Sequence, residues 1–369
     1  MTSKERLLAC LSGKIPDRVP ISTYELVGWN FDSWENKEPS YSNLMEAIRR
    51  YTDCVYMWDS GGIEFLPSEC KEEKRTENDG TEVVRRTWRV SGHILSCESR
   101  FKPNIKTEWR TERLLKTEKD IQVFLDLPLS VKPPDKTDFE RRRAFLGDRG
   151  IMMHTLEDPL CITSELFSFQ DFLCFCATRR GLIEKLLEKT AEAVASYLDK
   201  LLEADFGPLF RIVGPEYATP PYLDPETFRS FVLEYDKPLC KKIKKAGKYV
   251  RVHCHGKIAK VLDLIMELEP DALDPVEPPP DGDITLSEAK RRTQGKVTLF
   301  GNIELKYLEH GTRKQVEDLT LQALKEGMPG GRFVIMPTAA PINVPLSKRT
   351  EENFLCFIET ALRYGSYCT

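Results

Sequence analysis

The chain has 369 residues, 41% of them hydrophobic and 30% charged, with a formal net charge of -4. That length suits one large barrel or two ordinary domains, and the mild acidic balance gives no reason to expect a nucleic acid or an anionic membrane as partner. No apolar run approaches the roughly 20 residues needed to cross a bilayer.

The segment from Met1 to Gly13 is charged and amphipathic, unlike a signal peptide. Eleven cysteines are scattered along the chain without a CxxC pair. They read as reduced thiols of a cytoplasmic protein, many of them packed as small apolar side chains.

In chain order, Leu7, Leu8 and Leu11 share one face of a short helix over 3–12, which Gly13 stops. Val19 to Tyr24 is β-prone and is expected to form the first strand, ending at Tyr24-Glu25. Asn43 to Tyr51 has helical spacing. Cys54 to Trp58 reads as a strand running into Asp59. Residues 66–116 change character: they are charge-rich and partly alternating, with turn signals at Asn78-Asp79-Gly80 and Ser91-Gly92. They predict an antiparallel excursion of two to four strands rather than a separate domain, with His93 as a solvated loop histidine. Thr117 can cap a helix to Leu127, with Asp120 three residues on. A charged helix over 138–146 follows. A strand over 150–155 then runs to His154 and Glu157, and helices follow over 169–176 and 182–202.

From Leu209 the rhythm is regular. Strands over 209–213, 248–253, 272–276, 297–300 and 333–336 alternate with helices over 225–246, 259–267, 286–293, 314–326 and 351–364. Strand–helix units in series imply a parallel sheet with helical crossovers. Together with the earlier strands they predict an α/β chain folded as one (β/α)₈ TIM barrel over residues 1–369, with the antiparallel excursion near 66–116. No GxGxxG or GxxxxGK[ST] fingerprint is present, which disfavours Rossmann and P-loop readings.

In such a barrel the site lies at the C-terminal ends of the strands. Glu25, Asp59, His154, Glu216, His253, His255, Glu277, Asn302, Glu304 and Thr338 would all converge there. His253 and His255, at i and i+2 of one strand, face the same side, with Cys254 facing the other. Two histidines and a carboxylate are a recurring set for catalytic zinc, which keeps one position open. Glu277 on the next strand is the expected carboxylate ligand and Glu216, one strand back, its rival. The plainer alternatives are an anchor for the proline turn at Glu277 and an ion pair from Glu216 to Arg211 or Arg251. A barrel kept only as a binding module is disfavoured by so many ionisable strand ends.

The sequence resembles the uroporphyrinogen decarboxylase superfamily over essentially its whole length. The marks are Glu5-Arg6-Leu7-Leu8 through Pro16-Asp17-Arg18-Val19-Pro20, the Gly247 to Gly256 strand, Gly301-Asn302-Ile303, and Arg349 to Asn353. The decarboxylase branch carries an arginine-bearing stretch after the first strand. Here that place reads Thr23-Tyr24-Glu25-Leu26-Val27-Gly28-Trp29, with no arginine. The zinc methyltransferases, such as those acting on coenzyme M, are the nearer match. They carry His-x-Cys-Gly on the equivalent strand and a second cysteine after the last one. Here His253 matches the histidine, His255 stands where the first cysteine would be, and Pro337-Thr338-Ala339-Ala340 lacks the second.

The resemblance therefore implies a methyltransferase with a nitrogen/oxygen zinc site, suited to an O-methyl donor such as a methoxylated aromatic or methanol. The acceptor would be the corrinoid (cobalamin) cobalt of a separate partner protein. His253, His255 and Glu277 would hold zinc. Glu216 would be a fourth ligand or proton donor, with Tyr217, Tyr24 and Asn302 lining the pocket. The alternative from the same fold is a decarboxylase-like lyase acting on a small substrate without corrinoid. A homodimer is compatible with the sequence and not required by it.

Overall fold

The computed structural model describes residues 1–67 and 69–367. Its centre is a seven-stranded parallel sheet. Taken in order, the strands are Cys54–Met57, Gly150–Glu157, Leu209–Val213, Tyr249–His253, Ala272–Asp274, Thr298–Ile303 and Phe333–Pro337. Neighbours in space are also neighbours in sequence, as successive strand–helix units dictate. The sheet curls: Val55, Ile151, Leu209, Ala272, Phe300 and Val334, from six of its strands, pack into one interior cluster with Leu7 and Leu11 of the first helix. Residues facing outward meet the helices in a second, larger core.

The expected first strand, Val19 to Tyr24, does not form as a regular strand. It contributes one parallel bridge, Ile21 to Ile335. Ser22 donates to the Ile335 carbonyl (2.9 Å), Ile335 to the Pro20 carbonyl (3.0 Å), and Asp53 to the Ile21 carbonyl (2.7 Å). Pro20 has no N–H for a ladder, and Tyr24, at φ 54, turns the chain out of extended geometry. The segment thus bonds to both edges of the sheet without becoming a strand of it. Its start is tied to the last residues by a bridge from Arg18 to Ser366. Arg6 and Arg18 both pair with the fully buried Asp53.

The excursion is a four-stranded antiparallel sheet: Lys71–Thr76, Glu82–Val90, His93–Phe101 and Trp109–Glu112. The turns fall at the two expected places. His93 is not a free loop histidine: it begins a strand and bonds Asp120 at 2.7 Å. Asp120 also closes the capping box on Thr117. Most predicted helices are present within a few residues. Pro159–Glu165 and Leu305–His310 were not anticipated, and the helix expected over 225–246 is broken by a π turn at Arg229–Leu233. The ten described cysteines are all free; Cys368 lies outside the described residues. Among the described residues no single helix is long and apolar enough to cross a membrane.

Candidate active site

Strand alternation decides what enters the interior. On Tyr249–His253 the inward residues are Tyr249, Arg251 and His253. The chain leaves the strand after His253, and His255 continues on the same side. The two imidazoles meet edge to face, with ring centroids 4.6 Å apart. Cys254 is buried on the other side, where burial pushes its thiol well up and unfits it as a thiolate.

Each histidine has its own carboxylate. Asp274, at the end of the neighbouring strand, meets His253 Nδ1 at 2.7 Å and accepts Arg251 Nε at 2.6 Å. Burial drives His253 down to about 3, with the Asp274 charge opposing only in part. Burial also works against the Asp274 anion, but Arg251 and His253 outweigh it and hold its carboxyl well below the ordinary range. The pair is therefore an aspartate accepting from a neutral imidazole, which leaves the lone pair on Nε2. Glu277 repeats the arrangement at His255. Its Oε1 lies 2.9 Å from His255 Nδ1 and its Oε2 accepts from the Gly256 backbone at 2.6 Å. Burial opposes charge on His255, but the bond and charge of Glu277 prevail and its pKa is raised.

Both Glu277 oxygens are thus committed. The structure places Glu277 behind His255 as the group that orients it, not beside the two histidines as a third donor. In this conformation Glu277 is a partner of His255 rather than a donor beside the two histidines of the expected His253–His255–Glu277 set. Among the described residues no three His, Cys, Asp or Glu side chains come together as a metal cluster. Glu216 is the rival carboxylate. Its Oε2 accepts from the Gly214 backbone (3.1 Å), it forms no ion pair with Arg211 or Arg251 among the described residues, and burial raises its pKa, with His255 and Arg211 opposing. His253, His255 and Glu216 are of the donor types that zinc takes, but they are not gathered as a metal cluster here. The carboxylates behind the imidazoles are the partners that metal-binding histidines ordinarily have.

Tyr24 is brought to the site: its hydroxyl lies 3.5 Å from His253 Nε2 and accepts from Arg211 Nη2 at 3.1 Å. Glu25 and Asp59, both expected at strand ends, are exposed near Arg211. Surrounding protein pushes both carboxyls upward, and both feel the charge of Arg211. Tyr217 is turned away, its hydroxyl bonded to Glu165, which also binds Arg110 and Arg113. Asn302 donates to the Val276 carbonyl at 3.1 Å. With Glu304, Tyr307 and Pro278 it lines a groove beside the helices. His154 points outward to the Trp58 carbonyl (3.1 Å). Thr338 accepts from the Leu305 backbone at 3.4 Å.

Sequence reasoning missed Asp274 and offered Arg211 and Arg251 only as ion-pair partners for Glu216. The signal was present: Arg211 and Arg251 occupy inward strand positions, and Asp274 lies opposite His253 in register.

Residues 145–363 match the family described as uroporphyrinogen decarboxylase (URO-D). Two curated relatives are methylcobamide:CoM methyltransferases MtaA. One, from Methanosarcina barkeri strain Fusaro, is 24% identical over 82% of this chain and 82% of its own length. The other, also from Methanosarcina barkeri, is 26% identical with the same coverage. A solved methyltransferase from Methanosarcina mazei shares the fold at TM-score 0.61 and 16% identity, covering 97% of this chain and 98% of its own. The chain belongs to the uroporphyrinogen decarboxylase family, and within it stands with the methyltransferase members.

Proposed function

We propose that this chain is a corrinoid-dependent methyltransferase that takes a methyl group from an O-methyl donor, methoxylated aromatic or methanol-like, for the cobalt of a corrinoid on a separate protein. The observation that carries the reading is the pair of inward histidines, each held at Nδ1 by a carboxylate and each presenting Nε2. His253 and His255 would hold zinc, with Glu216 completing the set. Zinc bound there would act as a Lewis acid toward an oxygen ligand. Cys254 faces away, so the described site offers no thiolate, and oxygen rather than sulfur is the better-matched donor atom.

The chain's own groups have definable tasks. Asp274 and Glu277 fix the imidazole tautomers. Tyr24, whose oxygen accepts from Arg211 and whose O–H faces His253 Nε2, would turn that O–H to a leaving oxygen once zinc took the Nε2 lone pair. Burial holds its pKa above the ordinary value, so it stays protonated at neutral pH. We read the seven strands and the 20–22 segment as a closed (β/α)₈ barrel forming one domain.

The test is metal content with methyl transfer on the same samples. Wild type should carry about one zinc per chain and a His253→Ala/His255→Ala variant none. Wild type should also methylate a reduced corrinoid protein from a methoxylated substrate, read from the cobalt spectrum. Metal-free wild type after preparation in zinc would sink the zinc site.

A further inference from the structure

Three arginines are buried: Arg6, Arg211 and Arg251. Two are neutralised within the protein, Arg6 by Asp17 and Asp53, and Arg251 by Asp274. Arg211 is not. Its Nη2 donates to the Tyr24 hydroxyl and its Nη1 approaches the Met57 sulfur at 3.0 Å. Its Nε has no partner at all. The guanidinium lies 5.2 Å from the Tyr24 ring centroid. No described carboxylate forms an ion pair with it. A buried, unpaired cation is costly and is retained where something else supplies the anion.

Arg211 points to the interior from Leu209–Val213, the strand that pairs with the one bearing His253. Tyr24 bridges the two, touching Arg211 on one side and His253 on the other. Asp274 and Glu216 sense Arg211 from within the site, and Glu25 and Asp59 sense it from an exposed rim. Anything bound against the histidines would therefore have the acidic rim around it and a single cation beside it.

We propose that Arg211 is an anion-recognition residue, and that the substrate carries one carboxylate-like group on the part of the molecule that points toward Tyr24. A planar guanidinium suits a carboxylate, and its Nε–H, unpaired but covered in this structure, would be met once the side chain turned toward the ligand. The single cation and the acidic rim select against substrates with several negative charges. This deepens the methyl-transfer reading, on which it rests for the methoxyl group alone.

The experiment is calorimetric titration of the full chain without corrinoid. The probes are methoxyacetate and meta-methoxybenzoate, each against its neutral amide. The proteins are wild type, Arg211→Gln and Arg211→Lys. In wild type at least one acid should bind about tenfold or more tighter than its amide. The preference should vanish in Arg211→Gln and partly return in Arg211→Lys. Arg211→Gln should still unfold cooperatively, so that a lost preference is read on a folded chain. The proposal is overturned by any of four results: equal affinity for acid and amide, a preference that survives in Arg211→Gln, no saturable binding of either acid, or an Arg211→Gln chain that no longer folds. A chain that binds the acids but transfers no methyl group would sink the transfer reading alone.

Discussion

Asp274 stands between two side chains of one strand, His253 at 2.7 Å and Arg251 at 2.6 Å, and is fully buried with both. One carboxylate thus sets an imidazole tautomer and neutralises a guanidinium. Asp274→Ala leaves Arg251 buried and unpaired, for which roughly 3–5 kcal/mol of destabilisation is expected. Denaturant unfolding, read as a shift in midpoint, checks it. A loss under about 1 kcal/mol would mean that water reaches Arg251.

The two carboxylates near the histidines are separable. Glu277 has both oxygens engaged by His255 and Gly256, whereas Glu216 has one engaged by Gly214. Glu277→Gln should keep zinc stoichiometry while lowering affinity about 10- to 100-fold, as expected for a group behind a ligand. Glu216→Gln should reduce stoichiometry at the same free zinc. Competition titration with a chelator distinguishes them, and the opposite ranking would make Glu277 the ligand.

Asp236 is fully buried with neither oxygen partnered by a bond of good geometry, beside the equally buried Asp158. Burial raises both carboxyls, and the two are close enough to interact strongly. Asp236 keeps its proton in the folded chain above the pH at which the unfolded chain gives it up. Over that interval the unfolded state binds fewer protons, so this group subtracts stability as pH rises from the ordinary carboxylate range. Asp236→Asn should remove that slope. Its melting temperature should exceed that of wild type at neutral pH by a few degrees, about 2–4 °C for each kcal/mol, and the gap should close toward pH 4. A constant gap across pH would exclude the titration as the cause.

Gly214 has φ +136, and a Cβ there would stand 1.9 Å from Asp158 Oδ1. Gly214→Ala combines backbone strain of about 1–3 kcal/mol with that overlap. It should lower the unfolding midpoint and disturb the amide that holds Glu216. Unfolding together with zinc titration reads both effects, and an alanine variant with unchanged stability and zinc affinity would show that this corner is free to relax.

The later strands were legible because each is a short apolar run closed by polar or proline-rich turns, and Leu209–Val213 ends where its sequence says it should. Period-two spacing also placed His253 and His255 together. What failed had local causes. Pro20 and the turn at Tyr24 kept Val19–Tyr24 from becoming a strand. Tyr217 was expected to line the pocket, yet Glu165, in a helix that the proline at 159 hid from a periodicity reading, captures its hydroxyl. Glu277 lies beyond the neighbouring strand, which ends at Asp274 rather than at 276, and spacing cannot say whether a carboxylate faces the lone pair or the N–H of an imidazole.

The tip of the excursion is clasped far from its own strands. Lys106 donates to the Ile342 carbonyl and Val344 to that of Asn104, around a bridge from Ile105 to Asn343. During synthesis the four antiparallel strands can pair as soon as they emerge, since their contacts are local. The clasp must wait for more than half of the chain to follow. Docking of this appendage is thus a late event in folding, and pulse-labelled amide exchange should show Lys106 gaining protection together with the Phe333–Pro337 strand rather than with its own hairpins.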